Sequence, residues 1–373
     1  MKTAIVGSGV AGLAMANALA TSPLGQDLVL LEQRTSAATE GFAFLLMPNG
    51  LAALRRLLPG FSPSTHGRRM ARLHIHRADG PLLVERPLED VFCVSRKALL
   101  EQLLRAAGSL ECRYSARAAG LRLTDDGRCE ALVLDDGGAV EADVFFGCDG
   151  VRSSVRTQVF PDAQLGEHLV NEVVVSTRSR ALAASLGQVF HKFYDPEGGL
   201  AIGALAESDD GIVLFAQVDN ARYALPARDP SGLQRALQSM TRGWCDQVRD
   251  LLHAMDFGSS YVWETRDLLP LPSLHRHNVA LVGDAAHASL PFTSQGANGA
   301  LEDAVTLAGL LEDVQTDPEL ADALRAYDAA RIPTHARVFR AGRELRAEFL
   351  CPCLLYTSPS PRDLSTSRMP SSA

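Results

Sequence analysis

Hydrophobic and polar positions along the chain alternate between two periods. Residues 3–6 form a short β-rich run, and 10–21 an Ala- and Leu-rich stretch with helical character. Residues 28–31 form a second apolar strand. The segment 95–107 places Leu99, Leu100, Leu103 and Leu104 at helical spacing, and 121–123, 131–134 and 142–147 read as strands. From about 170 to 262 the runs VNEVVV, QVFHKFY, GLAIGAL and GIVLFAQV are separated by Gly, Asp and Pro turns, with one helix predicted near 231–255. A short buried strand at 278–282 and helices at 301–311 and 318–350 close the pattern, and Pro333 predicts a kink in the last helix. No repeat is visible. The chain reads as α/β at both ends with a mostly β insertion. This predicts a discontinuous nucleotide-binding unit at 1–75, 92–168 and 276–350, and a β-rich unit at 76–91 and 169–275.

Composition narrows the class. The chain has 373 residues, 44 acidic and 36 basic side chains and a formal charge of −8. At roughly 100–200 residues per domain, two or three units are expected. An apolar fraction of 46 % supports a real core and excludes wholesale disorder. The absence of a basic block argues against a nucleic-acid partner, whose affinity rests on neutralised phosphates. Seven cysteines without a CxxC pair fit a reducing compartment, the cytoplasm, without structural zinc. The uncharged stretch after Lys2, with Ala18-Leu19-Ala20, imitates a signal peptide. Gly7, Ser8, Gly9, Gly12, Asn17 and Ser22 interrupt it, so neither secretion nor a membrane span is expected.

The strand at 3–6 runs directly into GSGVAG, which sets Gly7, Gly9 and Gly12 at GxGxxG spacing. Glu32 ends the second strand, 20 residues beyond Gly12. Gly7 permits the tight strand-to-helix turn, Gly9 lets backbone approach a pyrophosphate, and Gly12 lets helix and sheet pack closely. The helix N-terminus at Val10 and Ala11 offers free N–H groups to phosphate, and Glu32 can accept from ribose hydroxyls. With strand, helix, second strand and acid in register, a Rossmann-type dinucleotide site is expected. Two further motifs follow strands. Residues 142–147 run into GCDGVRSSVR, with Asp149, Gly150, Arg152 and Arg156. The strand NVALV runs into GDAAHASLPFTSQGANGALEDA, with Gly283, Asp284, Gly296, Ala297 and Asn298. Ligands bind at strand C-termini in open α/β sheets. Singly, Asp-Gly is more often a turn, and Gly-Asp before a helix a cap.

In this order, with VSRKALLEQLL carrying Arg96 and GFAFLLMPNGLAALRRL, the motifs resemble the class A FAD-dependent monooxygenases. These are the para-hydroxybenzoate hydroxylase-like proteins, which include salicylate and kynurenine hydroxylases and tetracycline-inactivating enzymes. The resemblance runs from residue 1 to about 350, strong at both ends and weak in the β-rich middle. It implies an α/β fold: a Rossmann-type FAD-binding domain, an inserted β-sheet substrate domain and C-terminal helices. It implies that Gly7, Gly9, Val10, Ala11 and Gly12 cradle the FAD pyrophosphate and that Glu32 holds the adenosine ribose. Arg96 would reach the ribityl-phosphate region, and Asp149 the pyrophosphate and NADH or NADPH. Asp284 would hold the ribityl chain, with Gly296, Ala297 and Asn298 against the isoalloxazine edge. One departure is Ser294, where the family's GQG becomes SQG. The implied reaction is NAD(P)H- and dioxygen-dependent hydroxylation of a small aromatic or polycyclic compound through a flavin hydroperoxide. The alternatives are an FAD-dependent dehydrogenase or reductase without oxygen insertion, and a non-catalytic flavin binder. The flavin halogenases' WxWxIP is absent. A homodimer stays open, and since the hard chemistry is the cofactor's, no catalytic side chain is named.

Substrate is expected between the cofactor and the β-rich middle, against strands carrying His191, Phe193, Tyr194, Tyr261 and Trp263. An imidazole or phenol there could deprotonate a phenolic substrate, although aromatics alternating along strands are usually core. His287 is expected to pack at a helix start. His74 and His76 alternate like a strand face, and His-x-His without further partners is a poor metal signal, so no metal is expected. The charged residues of 318–350 read as a solvated helix face. Residues 353–373, CLLYTSPSPRDLSTSRMPSSA, have no apolar periodicity and resemble a sequencing adapter translated in frame. They are expected to be a disordered artefact on a natural chain cut near residue 352.

Overall fold

A computed structural model describes residues 1–37, 41–226 and 229–351; the adapter-like stretch 353–373 lies outside them. Thr3–Val6 is buried along its whole length, which is why it shows no alternation. It pairs in parallel with Leu28–Leu31 on one side and Val144–Gly147 on the other. Val279–Leu281 extends this sheet beyond Val144–Gly147, and Glu111–Arg113 extends it beyond Leu28–Leu31. Helix Val10–Leu19 buries Val10 to Ala16 and Leu19, and Gly12 sets how closely it approaches the sheet. A Cβ there would lie 1.8 Å from the Gly7 carbonyl oxygen.

The second sheet has eight strands in the order Tyr261–Thr265, Val170–Arg178, Gly211–Asp219, Leu200–Ala206, Val189–Tyr194, Gly67–Arg77, Leu82–Val94 and Phe44–Leu46. All neighbours are antiparallel except Val189–Tyr194 with Gly67–Arg77. Its strands begin at Phe44 and Gly67, so the sheet takes in residues that the sequence pattern assigned to the nucleotide-binding unit. One face packs Val173, Val175, Phe193, Ile202 and Leu214 against helices Pro230–Met240 and Asp246–Ala254. The single helix expected at 231–255 is therefore two. The chain turns between them at Gly243, whose φ of +87° suits glycine. A small third sheet joins Ala118–Leu123, Cys129–Leu134 and Ala139–Glu141.

The last helix, Asp317–Leu350, runs unbroken through Pro333. A Thr316/Glu319 capping box starts it, and buried contacts along it outweigh the hydrogen bond that Pro333 cannot make. It is anchored by Asp303, which is fully buried. Asp303 accepts from Arg331 Nε at 2.7 Å, His335 Nε2 at 3.0 Å and the Gly283 N–H at 2.9 Å, and it also meets His287. Burial alone would raise its pKa. The charges of His287, Arg331 and His335 outweigh burial and hold the carboxyl well below its usual range.

Removing one partner of a buried ion pair leaves an uncompensated charge, which costs about 3–5 kcal/mol. Arg331→Leu is expected to lower unfolding stability by that amount in urea titration. Burial first, and His287 second, lower His335 from 6.5 to about 4. A depressed histidine pKa means that the unfolded chain takes the proton first. Its contribution is therefore complete above pH 6.5 and is lost as pH falls from 6.5 to about 4. His335→Gln keeps a donor for Asp303 without titrating, and its stability should decline less steeply than wild type across that window.

Candidate flavin site

Gly7 has φ +101°, and a Cβ on it would sit 2.5 Å from the Cys148 carbonyl oxygen. Gly9 differs: a Cβ there would meet no protein atom within 4 Å. Gly9 is also the N-cap of Val10–Leu19 and gives no side-chain cap, so the first N–H groups, at Val10 and Ala11, are open to an anion. Glu32, only 6 % exposed, accepts from the Ser8 N–H at 3.0 Å, the Ser8 hydroxyl at 2.6 Å and the Arg34 N–H at 2.9 Å. Burial raises its pKa, but these donors together outweigh burial and the net shift is downward.

Arg96 begins helix Arg96–Ala106 behind the Ser95 cap. Its Nε is buried and has no hydrogen-bond partner among the described residues. Burial lowers its pKa, the Asp284 charge raises it, and Arg34 lowers it again, so these three charges face a common region. Asp284 follows Gly283, where a Cβ would lie 2.9 Å from the Ala11 Cβ and 3.0 Å from the Ala300 Cβ. This close approach brings the GxGxxG helix, the GD loop and helix Gly296–Leu310 together. A Cβ on Gly296 would lie 3.7 Å from Asp284 Oδ1, so the two are neighbours. Gly296–Leu310 also starts without a side-chain cap. A guanidinium whose buried Nε has no partner among the described residues, two uncapped helix N-termini and an open surface at Gly9 fit a dinucleotide with a pyrophosphate at its centre.

Comparison with known proteins agrees. The family described as FAD binding domain matches residues 1–341. The chain belongs to the class A FAD-dependent monooxygenases. A 3-amino-4-hydroxybenzoate 2-monooxygenase of Streptomyces platensis is 30 % identical over 371 residues, covering 94 % of this chain and 89 % of the relative. A 3-hydroxybenzoate 6-hydroxylase of Klebsiella oxytoca is 29 % identical over 92 % of this chain and 88 % of its own. Among solved structures, Klebsiella pneumoniae HpxO in complex with FAD and uric acid shares the fold, with TM-score 0.84 and 24 % identity. It covers 95 % of this chain and 90 % of that one.

Within this FAD-dependent monooxygenase, several motif residues hold the loops themselves. The Asp149 carboxylate accepts from the N–H groups of Ser154 at 2.7 Å and Val155 at 3.2 Å, and from the Ser153 and Ser154 hydroxyls. It caps helix Ser154–Val159, which fixes its carboxylate at the end of Val144–Gly147. Asn298 is likewise committed: its Oδ1 accepts from the Met47 N–H, and its Nδ2 donates to the Leu45 and Ser294 carbonyls. Ala297 lies with Gly296 in the uncapped first turn. Ser294 adopts φ +54°, the left-handed conformation that the family's glycine takes more easily. Sequence reading gave Arg156 no role. It donates to the Val151 carbonyl at 2.6 Å and the Ala285 carbonyl at 3.1 Å, clamping the DG loop to the GD loop. Its signal was an arginine one turn into a helix that starts beside a second strand terminus.

The sheet separates the aromatic residues expected around substrate. His191 and Phe193 share the face covered by Pro230–Met240 and Asp246–Ala254, away from the cofactor loops. Tyr194 points the other way and packs with Phe292 and Phe349. Tyr261 and Trp263 lie on the edge strand, and Tyr261 is 54 % exposed. No helix among the described residues is long and apolar enough to cross a membrane.

The two glycines give opposite expectations. Gly9→Ala should fold with wild-type stability but bind FAD at least about tenfold more weakly, because its methyl group enters space that no protein atom fills and that the GxGxxG pattern keeps for a pyrophosphate. Gly12→Ala should lower the melting temperature of the apoprotein, because its methyl group meets backbone. Flavin absorbance per protein and apoprotein melting curves check both.

Proposed function

We propose that this monooxygenase hydroxylates a small electron-rich aromatic ring carrying a negative charge, anchored by Lys192. The observation that carries this reading is the setting of the Lys192 ammonium. It lies 4.8 Å from the Tyr194 ring centre, 5.8 Å from Phe215 and 5.7 Å from Phe292. Aromatic faces attract a cation without neutralising it. No ion pair joins this ammonium to a described carboxylate, and burial raises the pKa of Glu172, the acid that feels its charge, so the lysine stays available to a ligand. Phe292 belongs to the turn Pro291–Thr293 between Asp284 and Gly296, which ties Lys192 to the cofactor side of the sheet. Gly203, opposite both Lys192 and Phe215, leaves room for the Phe215 ring, since a Cβ there would lie 2.1 Å from it.

The same sheet face carries Glu172 and Gln217. Burial raises the Glu172 pKa, opposed by the 2.9 Å hydrogen bond from Gln217 Nε2 and by Lys192. Gln217 Oε1 has no partner among the described residues and is free to accept a substrate N–H or O–H. FAD, when bound, takes a hydride from NAD(P)H and with dioxygen supplies one oxygen atom to the ring, the other leaving as water. The chain's own task is positional. Gly9, Arg96 and the two helix N-termini hold the anionic cofactor. Lys192 holds a carboxylate or phenolate, and a phenolate raises the electron density of the ring to be attacked. The apolar packing of Tyr194, Phe292 and Phe349 excludes water. The named hydroxybenzoate relatives support this reading.

Substrate-stimulated NAD(P)H oxidation should be measured with a panel of hydroxybenzoates under oxygen-18. One labelled atom in the product supports the proposal. Turnover with unlabelled product would instead show a dehydrogenase, and failure of every aromatic acid to stimulate oxidation would overturn it. Lys192→Met should retain its FAD and raise KM for an acid substrate by about ten- to a hundredfold, as loss of a charge partner does. The corresponding benzamide should lose far less.

A further inference from the structure

On the opposite face of the same sheet three histidines converge. His74 and His76 lie two apart on Gly67–Arg77, and His191 stands directly across from His74 on the parallel neighbour Val189–Tyr194. Ring centres are 5.9 Å apart for His74 and His76 and 5.4 Å from each to His191. One ring nitrogen from each lies within 4.8 Å of one from both others. His76 Nε2 and His191 Nδ1 are 3.2 Å apart. Two nitrogens bound tetrahedrally to zinc at about 2.0–2.1 Å stand about 3.3–3.4 Å apart, so this edge of a site is already set.

The surroundings also suit ligation. His76 Nδ1 lies 3.2 Å from the Gly80 carbonyl oxygen, and donating there turns the Nε2 lone pair toward the cluster. Such an outer hydrogen bond is the usual support of a metal-binding histidine. Phe193 stacks on the His76 ring at 4.6 Å and fixes its plane. His74 Nε2 is buried without a hydrogen-bond partner among the described residues, and Glu85 Oε2 stands 3.5 Å from it. Burial, then the neighbouring His76 and His74, lower the pKa of His191 to about 4, and burial lowers that of His76. All these effects favour the neutral imidazole, the form that binds metal.

We propose that His74, His76 and His191 form a binding site for one zinc ion, with Glu85 or water at the fourth position. Three imidazoles suit zinc and its close neighbours among divalent transition metals, and not magnesium or calcium. A second group, His287, Asp303 and His335, is also compact, but the Arg331 guanidinium already neutralises Asp303 there, 2.7 Å from Oδ1. A bound zinc would cross-link the strand of His74 and His76 to the strand whose other face presents Lys192.

The test uses the untagged, FAD-loaded protein, equilibrated with zinc chloride by dialysis and measured by elemental mass spectrometry. One zinc per chain is expected, with a melting temperature that rises with zinc concentration. His76→Gln and His191→Gln should lose both responses while keeping their flavin, and His335→Gln should keep them. Equal zinc in wild type and the two cluster variants would overturn the site. If either variant fails to fold, cobalt substitution of the wild type decides. Intense visible bands beyond those of the flavin indicate tetrahedral nitrogen ligation, and their absence at saturating cobalt rejects it.

Discussion

Asp303 lies fully buried, and its two oxygens are claimed by groups from two separate parts of the chain: the Gly283 N–H and His287 on the GD loop, and Arg331 and His335 on the terminal helix. A carboxylate in that setting is tolerable only while all its partners stay in place. The position of Asp284 follows from this, because Gly283 and His287 bracket it. So does the place of Gly296, seven residues before Asp303 on the same helix. The GD loop and the start of helix Gly296–Leu310 thus inherit their geometry from this ion network.

The eight-stranded sheet adds a second constraint. Alternation along Val189–Tyr194 sends Lys192 and Tyr194 toward the cofactor loops, and His191 and Phe193 toward the helices behind. A one-residue change of register would exchange the two sets and put a phenylalanine where Lys192 now stands. The close fit of Gly203 against the Phe215 ring and the burial of Phe193 both hold that register.

Much of the nucleotide-binding half was legible because its motifs are local. GxGxxG, the Arg96 helix and the GD turn are each carried by residues within a few positions of one another, and the strand and helices they predict are present there. Illegible features came from distance or from competition. Which way His191 and Tyr194 face depends on a pairing with Gly67–Arg77 that no local pattern encodes. Asp149 reads as a ligand from its place at a strand terminus. Two serines follow it, however, and a carboxylate within reach of uncapped N–H groups is drawn to them first. Pro333 predicts a kink, and the helix continues through it with buried Tyr327 and Arg331 before it and Gly342 after it.

The interleaving of the two sheets bears on how the chain reaches its fold. Thr3–Val6 finds Leu28–Leu31 soon after synthesis, yet its other neighbour is Val144–Gly147, and that strand in turn waits for Val279–Leu281. Gly67–Arg77 must likewise wait for Val189–Tyr194. Neither sheet can be finished before the other is well begun. A nascent chain therefore carries unpaired strand edges for most of its time on the ribosome, the condition under which sticky intermediates recruit chaperones. The interleaved pairing places the completion of both sheets late in synthesis.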